Sequence, residues 1–107
     1  MDAIKDNIYE LVDKELNAAN EKFPPFASSH EAYGVIFAKF EETRDELNEL
    51  ESSVNHYWSG VKQNTANVVK NDRLAEIGER AVRLAVEAIQ TAAMARKAIL
   101  SSYQKGD

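Results

Sequence analysis

SSHEAYGVIFAKFEETRDELNELESSVNHYW, residues 28–58, decides the fold class. Ser28 is followed three residues later by Glu31, the capping-box spacing in which each side chain satisfies an orphan backbone donor of the first helical turn. A helix is therefore predicted to start near Ser29. Its apolar residues, Tyr33, Ile36, Phe37, Phe40, Leu47, Leu50, Val54 and Trp58, recur mostly every three or four positions, as one face of a helix requires. At 1.5 Å per residue such a run is roughly 40 Å long.

On the N-terminal side, Ile4, Ile8, Leu11, Val12 and Leu16 give a shorter amphipathic segment. KFPPF closes it, because Pro24 and Pro25 cannot continue a helix and bias the residue before them away from helical geometry. Phe23 and Phe26, flanking the prolines, are expected to anchor this loop on the core. On the C-terminal side, WSGVKQNTANVVKND breaks the apolar pattern and reads as a loop with at most a helical turn. Asp72 is a candidate cap for a third helix with an alanine-rich inner face of Leu74, Ile77, Ala81, Leu84, Ala85, Ala88, Ala92, Ala95 and Ile99. SSYQKGD reads as a frayed tail. The expectation is an all-α single domain over 1–107, with helices at roughly 2–20, 29–57 and 72–103. One short and two long antiparallel helices leave apolar stripes uncovered, so dimerisation into a four-helix bundle is expected.

Composition narrows the function classes. A net charge of −5 argues against nucleic-acid binding, which needs a Lys/Arg surface to displace counterions. The absence of cysteine removes disulfides, zinc-thiolate sites and thiol nucleophiles. No apolar run is long enough to span a bilayer, and the N-terminus lacks a secretory pattern, so the expected location is cytoplasmic.

The acids of the second helix do not share one direction. Glu42, Asp45 and Glu49 lie largely opposite Leu47, whereas Glu46 flanks the apolar stripe, one turn beyond Glu42. Glu87 occupies a corresponding flank on the third helix. Carboxylates from two facing helices are one way to hold Mg²⁺ or Mn²⁺ in a bundle, with water and phosphate completing the shell. The competing explanation is a solvated acidic face, paired at little net value with Lys39, Arg44 and Arg80. His30 belongs to the helix start. GVKQNTAN lacks the second glycine and Lys-Ser/Thr ending of a phosphate loop. Tyr57 and Trp58 read as closing the core or a dimer seam.

NAANEKFPPFASSHEAYGVIFAKFEETRDEL and LAVEAIQTAAMARKAI together resemble small MazG-like proteins of phage and bacterial genomes. These belong to the all-α nucleoside triphosphate pyrophosphohydrolase superfamily. The resemblance runs from Asn17 to Ile99 and implies a helical dimer or tetramer. It also implies Mg²⁺-dependent hydrolysis of a nucleoside triphosphate to the monophosphate and pyrophosphate, in a bacterial host cytoplasm if the chain is phage-encoded. The superfamily pattern places acids at Ala38, Lys39 and Glu42, then Glu-x-x-Asp at Glu87 and Gln90. Only Glu42 and Glu87 match. The resemblance thus implies metal ligands at Glu42 and Glu87, with Glu46 as substitute and Lys39, Asp45 and Gln90 supporting the ligands or the substrate. Lys39 would contact a phosphate or pair with Glu42. The departures leave a second expectation, a non-catalytic nucleotide-binding or protein-interaction module of phage or mobile-element origin.

Overall fold

A computed structural model describes residues 2–101 as three α-helices, α1 (Asp2–Lys22), α2 (Ser29–Lys62) and α3 (Asn67–Leu100). No strand occurs among the described residues, so the chain is all-α. The part of SSYQKGD beyond Ser101 lies outside the described residues. None of the helices is long and apolar enough to cross a membrane.

The start of α2 follows the capping logic. The Glu31 amide donates to Ser28 Oγ at 3.1 Å, and Glu31 Oε1 reaches back to accept from the Ala27 amide at 3.3 Å. The expected loop after Trp58 is a correction. α2 continues to Lys62 and α3 already begins at Asn67, leaving residues 63–66 as the whole connection. Asp72 consequently lies inside α3 and caps nothing. Gly60 does not break α2, because it serves a close approach instead. A Cβ there would stand 2.7 Å from Arg73 Nη1 and 2.9 Å from Thr65 Oγ1. The helix ends by a left-handed residue, Asn64 at φ 53°. The Thr65 amide then bonds Gly60 O at 3.0 Å and the Asn64 amide bonds Val61 O at 3.2 Å. This is the paired bonding of a Schellman motif, with asparagine where glycine is commonest.

The described chain falls into two compact units. The first joins residues up to Glu41 with those from Ala88 onward, and the second is Glu42–Glu87. Among the described residues the buried apolar ones, Val12, Leu16, Phe26, Ala32 and Ala93, all belong to the first unit. Val12, Leu16 and Ala93 form its core, with Ile89 and Met94 packed against them. Ser101, expected in a frayed tail, is buried here. Its Oγ accepts from the Phe26 amide at 3.0 Å and donates to Lys97 O at 2.8 Å. Phe26 thus anchors the proline loop as expected, whereas Phe23 stays exposed.

The second unit is a helical hairpin without a buried apolar side chain. Among its described residues the buried positions are Ser53 and Gly60. This corrects the expected inner faces. Tyr33, Phe37, Phe40, Leu47, Val54 and Trp58 of α2 are exposed, Trp58 by 55%. On α3, Leu74 and Ile99 are exposed together with Ala81, Ala85, Ala88, Ala92 and Ala95. The reason lies in which residues occupy the least exposed positions. Along α2 these include Ala32, Lys39, Glu46, Ser53 and Gly60, one every seven residues. A seven-residue repeat is the period of helices packed along a shared seam. Here the seam holds small and polar residues, and the large apolar side chains lie off it.

Candidate functional site

The predicted metal ligands Glu42, Glu46 and Glu87 all fall in the hairpin Glu42–Glu87. Two cross-helix contacts fix its register: Arg73 Nη1 donates to His56 O at 3.0 Å, and Arg80 Nη2 stands 3.6 Å from Glu49 Oε2. Moving seven residues back along α2, from His56 to Glu49, carries the partner seven residues forward along α3, from Arg73 to Arg80. One more such step sets Glu42 level with Glu87, with Glu46 one turn away. The antiparallel hairpin therefore brings the three predicted carboxylates to one stretch of its length.

Their environments differ. Glu42 and Asp45 are exposed. Glu46 and Glu87 are half-buried, and the Oε2 atom of each is shut off from solvent. Glu46 Oε2 has no hydrogen-bond partner. Leaving a carboxylate oxygen desolvated and unpaired costs on the order of 1–3 kcal/mol or more, so the position favours any cation able to reach it. Glu42 and Glu87 have interaction partners of their own. No group of three or more His, Asp or Glu side chains close enough to share an ion occurs among the described residues. A divalent ion here would have to rely on one or two carboxylates, as Mg²⁺ commonly does when phosphates and water complete its shell.

Lys39 and Gln90 belong to the other unit, where Lys39 Nζ donates to Gln90 Oε1 at 2.9 Å. These are two of the three positions at which the chain departs from the acidic pattern implied by the resemblance, and they bond to each other. Both are half-buried, which strengthens the bond relative to one in water.

The same unit contains a cavity of about 660 Å³ that the sequence did not reveal. Lys39 and Gln90 line it beside Phe23, Phe26, Met94 and Lys97. Lys97 is only 3% exposed, with its ammonium 5.0 Å from the Phe26 ring centre and 5.8 Å from that of Phe23. The available signal was a lone lysine in AMARKAIL, spaced four residues from both Ala93 and Ser101, which are themselves buried. His30 and His56 are exposed. No family model, curated protein or solved structure matches the chain.

Proposed function

We propose that the chain is a divalent-cation-dependent nucleoside triphosphate pyrophosphohydrolase of reduced competence, working as a homodimeric four-helix bundle. The observation carrying this reading is Glu46 Oε2, a desolvated carboxylate oxygen with no hydrogen-bond partner on the same hairpin as Glu42 and Glu87. Glu46 and Glu87 would hold Mg²⁺ or Mn²⁺, with Glu42 one turn from Glu46. When bound, the cation supplies charge neutralisation at the phosphates. By holding the cation, the carboxylates would set where the triphosphate lies, and Asp45 would assist through solvent from the outer face. Water would add to the α-phosphorus as its bond to the oxygen bridging to the β phosphate breaks, giving the monophosphate and pyrophosphate and releasing the water's proton to solvent.

Dimerisation belongs to the same reading. The hairpin exposes Leu47, Val54, Trp58, Leu74, Val82 and Val86 and buries none of them. Covering such side chains contributes about 25 cal/mol per Å² of apolar area removed from water. A second hairpin of the same kind would complete a four-helix arrangement.

The test is pyrophosphate release from a panel of nucleoside triphosphates with Mg²⁺ or Mn²⁺. The expected result is slow release that falls at least about tenfold in Glu46→Gln, the scale of losing one charge-stabilising contact. The double substitution Ala38→Glu with Lys39→Glu is expected to raise the rate.

The Lys39–Gln90 hydrogen bond favours a second reading. An ammonium group bonded at positions where acids would ligate a cation fits a non-catalytic nucleotide-binding or protein-interaction module. In that case nucleotide binds without pyrophosphate release, and only the double substitution hydrolyses it.

A further inference from the structure

The cavity beside Lys97 carries an inference separate from the acids of the hairpin. Its volume of about 660 Å³ is within the range of small-ligand sites. The apolar wall comes from Phe23, Phe26, Val35, Ala93 and Met94. The charged groups are Lys22, Lys39 and Lys97 against Glu15 and Glu31, a formal surplus of one positive charge.

Lys97 is the unusual member. It is 3% exposed, yet among the described residues its ammonium meets two aromatic rings and no carboxylate. Aromatic faces attract a cation but accept none of its three N–H donors as a carboxylate would. The Ser101 hydroxyl bonds Lys97 O and the Phe26 amide, tying the helix backbone at Lys97 to one of those rings. Lys39 is engaged with Gln90, which leaves Lys97 as the deep cation of the cavity. A polyphosphate would bring several negative charges against Glu15 and Glu31, whereas one negative charge matches the surplus.

We propose that this cavity binds a small organic monocarboxylate. Its carboxylate pairs with the Lys97 ammonium and its apolar body lies against Phe26, Val35 and Met94. The inference uses no magnesium and no nucleotide, so it stands or falls apart from the hydrolase reading.

The test titrates 2-naphthoate into the full chain carrying ¹³C-methyl methionine. Met94 lines the cavity, and Met1 is the other methionine of the chain. Saturable movement of the Met94 signal is expected, with neutral 2-naphthalenemethanol binding at least about tenfold more weakly because it cannot form the ion pair. Lys97→Met is expected to weaken naphthoate binding by a similar factor, and Lys97→Arg to retain most of it. An unmoved Met94 signal would overturn the proposal. So would equal binding of the neutral alcohol, or equal binding by Lys97→Met, since the lysine would then be purely structural. If Lys97→Met loses its helical circular dichroism, the comparison of acid and alcohol on the wild-type chain decides alone.

Discussion

Several single residues sit in unusual surroundings. Ser101 joins the end of α3 to the proline loop by accepting from the buried Phe26 amide. Ser101→Ala leaves that donor without its partner, so a loss of about 1–3 kcal/mol is expected in chemical denaturation. Asn64 shows the opposite economy, a side chain tolerated where most are not. At φ 53°, Asn64→Val is expected to cost roughly 1–2 kcal/mol, while Asn64→Gly should leave stability unchanged or slightly raised. Thermal unfolding of the pair separates backbone strain from lost contacts, because both substitutions remove the same amide group. By contrast, Arg96 and Asp13 approach to 2.6 Å with side chains 47% and 60% exposed. Removing either should change stability by no more than about 1 kcal/mol.

At the level of elements, the existence of three helices was legible and their packing faces were not. Ser28 and Glu31 announced the start of α2, and the observed bonds follow that signal. Ser28→Ala is accordingly expected to cost about 1 kcal/mol, read from the denaturation midpoint. The end of α2 differs from the sequence expectation because Gly60 and the asparagines after it have the composition of a loop. Their actual work is close packing at Gly60 and a left-handed stop at Asn64. The packing faces differ for another reason. Hydrophobic periodicity assigns Phe37, Phe40, Leu47 and Trp58 to the interior, but a seam of Ala32, Lys39, Glu46, Ser53 and Gly60 takes that place. Small residues at a seam let helices approach, and a polar residue can occupy it if partnered, as Lys39 is by Gln90. The candidate acids were legible by number and flank. The burial of Glu46, the Lys39–Gln90 bond and the Lys97 cavity were not, because each depends on which residues stand across from them.

For the whole molecule, the proposed dimer predicts a mass in solution of twice the 12.0 kDa of one chain. Trp58→Glu should shift sedimentation toward the monomer if the exposed face of α2 is the contact. The proposed function requires that the hairpin acids, Glu46 foremost, serve a cation in nucleotide hydrolysis. Pyrophosphate release with Mg²⁺, compared among wild type, Glu46→Gln and the Ala38→Glu, Lys39→Glu double variant, tests it most directly. The expected result is measurable release by wild type, a fall of about tenfold or more in Glu46→Gln and a rise in the double variant. Equal rates in wild type and Glu46→Gln, or no release above background from any of the three, would contradict it.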